Sequence, residues 1–432
     1  MQRILSLISQ NTFLQNSLIL FVGTMIVNVL NYAFHLIIGR LVDPQAYGEI
    51  ESLISLLAII SVPAATLTLI ATKFAAEMRA KSDTEGLRSL SRYLNRKVLR
   101  YGIPLFGLLL VSTPLVKQFL RIPETLPILF LWVVVLLSFL SAVTSGLLTG
   151  WQKFVSTNIS GVIATVIKVG AAFFLVRLGF AVNGVMGSYV LFFLVSYGML
   201  FWFLHSLFER HGRSSLPEAE ISFASVKSYI LPAFYGTLSM AILGNADMIL
   251  AKHHLEGAAS GEYGALYVVG RTIFFVTGVL TTVLFAMSSE EKARKVTASN
   301  TFHLAVGLTI LVGLGGTAAF ALFPEFVLGL FFGEKYIGIA PLLVWFALSA
   351  GIYSLGNLLM QYLLSLHETR AASFFLGLAL LEIPILFFFG GGFYAIIGIT
   401  LAFQFLSVLL GFGFILRKNH HVEAHLNRDT NL

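Results

Sequence analysis

Apolar residues run in stretches of about 20 along this chain, each closed by charged or turn-forming residues. Such windows fall near residues 17–38, 50–71, 98–119, 126–148, 157–177 and 183–206, then near 228–251, 263–287, 300–323, 340–364, 371–389 and 393–416. At 1.5 Å per residue each is long enough to cross a hydrocarbon core of roughly 30 Å. Between the sixth and seventh lies the polar stretch "ERHGRSSLPEAEISFASVK". The pattern therefore predicts an all-α polytopic membrane protein of twelve transmembrane helices. Residues 1–215 form one six-helix lobe, and residues 216–432 form a second with a short tail. The opening "MQRILSLISQNTFLQNSLILFVG" places apolar residues at helical spacing beside Arg3, which suits a short interfacial helix leading into the first span. It carries no cleavage signature.

Composition agrees with this pattern and removes other classes. Hydrophobic residues make up 57% and charged residues 11% of the chain, against about 25% charge in soluble domains. With no cysteine, disulfides, thiolate metal sites and Cys nucleophiles are excluded. No stretch remains for a sizeable soluble domain.

The charges set an orientation. Lys and Arg accumulate on the cytoplasmic side of membrane proteins. Of the 28 here, Arg40, Lys117, Arg121, Arg177, Lys252 and Lys335 fall on one side, Lys168 and Arg271 fall inside spans, and all others fall on the opposite side. Both termini are thus expected in the cytoplasm, in a multi-pass protein of the cytoplasmic membrane. The net charge of +7 needs no nucleic acid to explain it. The excess sits in "KSDTEGLRSLSRYLNRKVLR", a solvated loop beside anionic membrane lipids.

Two related halves are legible. Gly48-Glu49 recurs as Gly261-Glu262, Arg40 matches Lys252 if one residue is inserted, and "LLTGWQKF" ending span four resembles "YLLSLHET" ending span ten. With six spans per half, both halves begin on the same side, so the repeat is parallel and its axis runs along the membrane normal. Two parallel six-helix lobes around a central cavity suit a carrier that alternates access by rocking.

Specific segments then resemble a family. "NSLILFVGTMIVNVLNYAFHLIIGRLVDPQAYGEIESLISLLAIISVPAATLTLIATKFA" looks like the opening of polysaccharide flippases. "GLLTGWQKF", "GFAVNGVMGSYV", "NADMILA", "GEYGALYVVGRTIFFV" and "LLMQYLLSLHETRAASFF" are similar to later landmarks of the same family, in order. The resemblance implies the O-antigen or teichoic-acid exporter-like branch of the multidrug, oligosaccharidyl-lipid and polysaccharide exporter superfamily. It implies translocation of a polyprenyl-diphosphate-linked oligosaccharide for polysaccharide biosynthesis. An enzyme using the same lipid carriers, such as a polymerase or ligase, would be expected to place catalytic Asp, Glu, Arg or His on a long outer loop, and the outer loops here are short. The partners the resemblance implies are that lipid-linked glycan, membrane lipids, and a polysaccharide polymerase or glycosyltransferases. Twelve spans fit this branch, and they leave open how the polyprenyl tail is held.

Charges within the bilayer are the candidate chemistry. Lys168 lies roughly 13 Å deep by helical rise. Facing lipid, it would cost about 3 kcal/mol, so it should point inward. Arg271, in "YVVGRTIFF", lies about 12 Å deep and cannot escape by losing its proton. The two could receive a diphosphate or acidic sugar, or could each bridge to a membrane carboxylate. Arg40 and Lys252, at matched outer ends of spans one and seven, read as interfacial anchors or as a gate for departing phosphates. Asn28, Asn31 and His35 share one face of span one, and Asn357 and Gln361 share one of span ten. Those faces line a cavity or bond between helices.

Two carboxylates complete the set. Asp247 in "GNADMILAK" and Glu382 in "ALLEIPILF" could form one site with Asn245 and Thr400, taking Na⁺ or a proton and coupling transport to an ion gradient; no further cofactor is called for. The competing reading caps a helix with Asp247 and pairs Glu382 with Arg271 or Lys168. His420, His421 and His425 have metal-like spacing in what reads as a solvated tail. A MATE-like drug or organic-cation antiporter of the same superfamily is the alternative function; a cavity of carboxylates and aromatics would suit it better than one with Lys168 and Arg271.

Overall fold

The computed structural model describes residues 12–210, 224–278, 280–281, 299–366 and 368–429. The expected interfacial helix near Arg3 lies outside these residues, as do the side chains of the tail histidines. Every regular element among the described residues is helical. Among the described residues, ten helices are long and apolar enough to cross a membrane, and an eleventh span is a bent pair. The expected eighth span begins within the described residues and runs into 282–298, which are not described. The chain is a multi-pass membrane protein.

It divides into two compact units, residues 1–42 with 60–226 and residues 43–59 with 227–432. The first contains α1 (Thr12–Leu41), α3 (Val62–Ala80), α4 (Thr84–Phe119), α5 (Leu126–Gly150), α6 (Phe154–Arg177) and α7 (Ala181–Arg210). The second takes α2 (Pro44–Ile60) from the first sequence half. It continues with α8 (Ala224–Leu243), α9 (Ala246–His254), α10 (Ala258–Gly270), α11 (Ser299–Leu322) and α12 (Pro324–Phe332). A 3₁₀ segment (Glu334–Leu342), α13 (Leu343–Ser365), α14 (Thr369–Phe389) and α15 (Phe393–Asp429) complete it.

Three spans depart from simple windows. Span two is longer than expected and bends by 41° between α2 and α3, where Pro63 sits in the first turn of α3 and so removes a backbone donor without breaking an established helix. Helix α4 has 36 residues, about 54 Å at helical rise, well beyond the membrane core. Its charged first half, expected as loop, is an amphipathic extension. Leu87, Leu90, Leu94 and Val98 are buried along one stripe while Arg92, Arg96 and Arg100 stay exposed. Span seven is broken, with α8 ending at Leu243 and α9 starting at Ala246.

Small residues set helix spacing in the first unit. Gly146 and Gly150, four apart on α5, lie against α3: a β-carbon at Gly146 would stand 2.6 Å from the Thr68 carbonyl oxygen, and one at Gly150 would stand 2.3 Å from that of Thr72. Only glycine permits this approach. The Thr68 hydroxyl also donates to the Ala142 carbonyl at 3.3 Å, so a polar group in the membrane is satisfied across the same seam.

Candidate functional site

Lys168 is 4% exposed on α6 of the first unit. Its ammonium donates to Asn31 Oδ1 at 2.6 Å and stands 4.6 Å from the ring centres of both Phe34 and Tyr189 and 5.6 Å from that of Phe192. A charge-assisted hydrogen bond contributes about 1.5–3 kcal/mol and each cation–π contact about 0.5–2. Together these offset the cost of a cation at that depth. The side chain turns inward, as expected, into a cage of rings with an amide oxygen. His35 stacks edge-on against Phe34 at 5.3 Å and, like Asn28 and Asn31, is half-buried. Arg40 is exposed at the end of α1.

In the second unit, the break in span seven organises the chemistry. Gly244 is a poor helix former, and Asn245, at φ −139° and ψ −14°, has left the helical region. Ending a helix inside the membrane strands carbonyls that water cannot reach. Side chains satisfy them here. Asn245 Nδ2 donates to the Ala241 carbonyl at 2.7 Å. The Gly244 carbonyl accepts from the Tyr267 hydroxyl at 2.8 Å and from Arg271 Nη1 at 3.0 Å. Tyr353 donates to the Met240 carbonyl at 2.9 Å, and Gln404 Nε2 reaches the Leu243 carbonyl at 3.5 Å.

Charge follows the broken dipoles. Arg271 sits at the negative C-terminal end of α8, and Asp247 lies in the first turn of α9, at its positive end. The guanidinium also donates to Asn245 Oδ1 at 3.2 Å and to the Tyr267 hydroxyl. It lies 4.8 Å from the Tyr267 ring and 5.7 Å from those of Phe274 and Tyr353. All of its hydrogen bonds leave from Nη1, so Nη2 and Nε have no hydrogen-bond partner among the described residues. A cavity of about 20 Å³ opens between Gly244, Asp247, Tyr267, Arg271, Tyr353 and Gln404, room for about one water molecule.

Beside this break are buried oxygens that lack donors. Asp247 Oδ2 accepts from the Tyr263 hydroxyl at 2.9 Å, but its Oδ1 has no partner among the described residues, nor does either oxygen of Glu382 or the hydroxyl of Thr400. Glu382 and Thr400 are both 0% exposed. Helix α9 packs on both α14 and α15, and Thr400 shares a face of α15 with Gln404, one turn on. Buried acceptors without donors are what a cation or a shared proton would complete. Asn245, expected as a further ligand, turns its Oδ1 to Tyr267 and Arg271.

The remaining expected residues lie elsewhere. Lys252 is 3% exposed, with its ammonium 3.9 Å from Glu49 Oε1 on α2. At the preceding residue, a β-carbon on Gly48 would fall 2.7 Å from the Gly261 amide nitrogen. The glycines matched in the sequence repeat thus touch each other within the second unit. Asn357 and Gln361 are half-buried on α13. Sequence reasoning missed Tyr263, Tyr267, Tyr353 and Gln404. The signals available were the Gly-Asn pair inside an apolar window and two tyrosines four residues apart leading to Arg271.

The architecture recurs in known transporters. The inward-facing conformation of a multidrug resistance MATE family transporter of the MOP superfamily aligns at a TM-score of 0.65 and 16% identity, covering 92% of this chain and 95% of that one. Lipid II flippase MurJ in an inward closed conformation aligns at 0.62 and 14%, covering 93% and 87%. A MOP superfamily transporter from Pyrococcus furiosus, described as having a binding pocket of reverse polarity, aligns at 0.57 and 16%, covering 92% and 93%. At such identities the likeness establishes the fold. No curated protein matches the chain in sequence. The model of the polysaccharide biosynthesis protein family matches residues 13–292, well over half of the 432, through all of α1–α7 and past the Arg271 site, and so the chain belongs to that family.

Proposed function

We propose that this protein moves a polyprenyl-diphosphate-linked oligosaccharide across the cytoplasmic membrane by alternating access, both termini being cytoplasmic, and that cation or proton uptake at Asp247, Glu382 and Thr400 drives it. Family membership carries the reading, and one geometric observation supports it: among the described residues Arg271 Nη2 and Nε have no hydrogen-bond partner, and the side chain lines the cavity at the break in span seven. A guanidinium presented this way suits a phosphate or carboxylate. Lys168, Arg40 and Lys252 would add positive potential, and Asn31, His35, Asn357 and Gln361 would offer hydrogen bonds to sugar hydroxyls. Nothing in this scheme makes or breaks a covalent bond. A polymerase or glycosyltransferases acting on the same lipid carrier would supply or consume the glycan.

A second reading rests on the buried carboxylates Asp247, held by the Tyr263 hydroxyl, and Glu382, which would equally suit antiport of a lipophilic cation by a MATE-like exporter. Thermal stability of the solubilised protein separates the two. The flippase reading predicts a raised unfolding midpoint with a short-chain polyprenyl-diphosphate oligosaccharide, absent in Arg271→Ala, and no change with ethidium. Stabilisation by ethidium alone would favour the antiporter.

A further inference from the structure

A large hollow in the described second unit takes no part in the site above. It is a groove of about 1080 Å³ between α14 and α15, walled by Phe374, Leu381, Leu406 and Leu409, with Gly377 and Gly413 at its floor and Arg417 at one end. The four wall side chains are 44–60% exposed. Phe374 and Phe414 meet at 5.5 Å across the groove. Arg370, one turn before Phe374 on the same face of α14, is exposed at the end that holds Arg417. Neither arginine makes an ion pair among the described residues.

Resting on the proposed lipid-linked substrate, we infer that this groove seats the polyprenyl chain of that substrate, with Arg370 and Arg417 receiving its phosphate. The argument is one of shape, length and charge. From Ser373 to Leu381 and from Leu406 to Arg417 the walls run roughly 12–16 Å at helical rise, about half the membrane core. The groove thus spans one leaflet and ends in cations where that leaflet's headgroups begin. The charge count of the sequence places that end in the cytoplasm, where the lipid-linked glycan would be loaded. A single cleft between two helices takes one chain, as a polyprenyl lipid has, whereas a glycerophospholipid brings two. The glycines form the hollow: a β-carbon at Gly377 or Gly413 would meet nothing within 4 Å, so both point into the space a chain would fill. Held there, the tail stays in lipid while the headgroup alone crosses.

The test uses the full chain in nanodiscs with a diazirine-bearing polyprenyl phosphate, and with the matching uncharged polyprenol. Labelling should map to peptides of α14 and α15 and be competed by unlabelled polyprenyl phosphate but not by an equal amount of phosphatidylglycerol. Gly377→Leu with Gly413→Leu should cut labelling at least tenfold with an unchanged melting temperature, while Gly398→Leu, also in open space, should not. Arg417→Ala should weaken labelling by the phosphate at least threefold and leave that by polyprenol unaltered, a comparison that stands even if the double variant misfolds. Equal competition by phosphatidylglycerol, labelling elsewhere, or full labelling of a folded double variant would overturn the inference. Wild-type glycan transfer by the double variant would sink the groove and leave the flippase reading intact. Absence of transfer by the wild type would sink that reading and leave the labelling result to stand alone.

Discussion

Glu382→Gln tests the ion site with almost no change of shape. The Glu382 carboxyl is fully buried, and neither of its oxygens finds a donor among the described residues. Each unsatisfied buried acceptor costs about 1–3 kcal/mol. Four such oxygens lie in this unit on Asp247, Glu382 and Thr400, so a cation that engages them offsets several kcal/mol. A ligand held at 100 times its Kd stabilises the folded state by about 2.7 kcal/mol. At about 2–4 °C per kcal/mol for a unit of 150–250 residues, that is a rise of about 5–10 °C. The assay is thermal unfolding in detergent, with Na⁺ titrated against choline at fixed ionic strength, beside transfer in proteoliposomes under an imposed proton gradient. Wild type should respond to Na⁺ in the first or to the gradient in the second. Glu382→Gln and Asp247→Asn should lose that response, and Thr400→Val should blunt it. A wild type indifferent to both ions, or a Glu382→Gln variant that responds fully, would refute the reasoning.

Other expectations follow from the same contacts. Asn31→Leu removes the 2.6 Å hydrogen bond of Lys168 and should cost about 1.5–3 kcal/mol of stability; adding Lys168→Met should restore most of it in thermal melts, because the uncompensated charge is gone. A double variant as weak as the single would show that the cage is not what stabilises the lysine. Gly146→Leu puts a β-carbon 2.6 Å from the Thr68 carbonyl oxygen, forces α3 and α5 apart and should lose about 2 kcal/mol or more, whereas Gly107→Leu, with nothing within 4 Å, should melt like wild type. Arg271→Lys keeps the charge but loses the fork. Because Tyr267 still holds the Gly244 carbonyl, its melting point should stay near that of wild type while glycan transfer falls at least tenfold.

Much of this molecule could be read in advance because hydrocarbon imposes simple rules. Span lengths, the all-helical class and the inward turn of Lys168 follow from the cost of exposing backbone and charge to lipid. What escaped was local geometry that apolar composition conceals. The break at Gly244-Asn245 lies inside one unbroken hydrophobic window, and only a dipeptide marks it. The amphipathic start of α4 looked like a loop because its charges outnumber its leucines, although Leu87, Leu90, Leu94 and Val98 keep a helical period. Lys168 was expected to find a carboxylate or a substrate; that Asn31 and three rings surround it depends on how α1, α6 and α7 rotate against one another, which sequence spacing leaves undetermined. Arg271 was legible by depth alone, while its bonds to a broken helix required coordinates.

The most direct measurement is leaflet transfer of a fluorescent polyprenyl-diphosphate oligosaccharide in proteoliposomes, scored by dithionite quenching with and without Na⁺ and proton gradients. The account predicts gradient-stimulated transfer by wild type, and its loss in both Arg271→Ala and Glu382→Gln. Gradient-driven movement of a cationic dye, with the glycan lipid staying in its original leaflet, would contradict it.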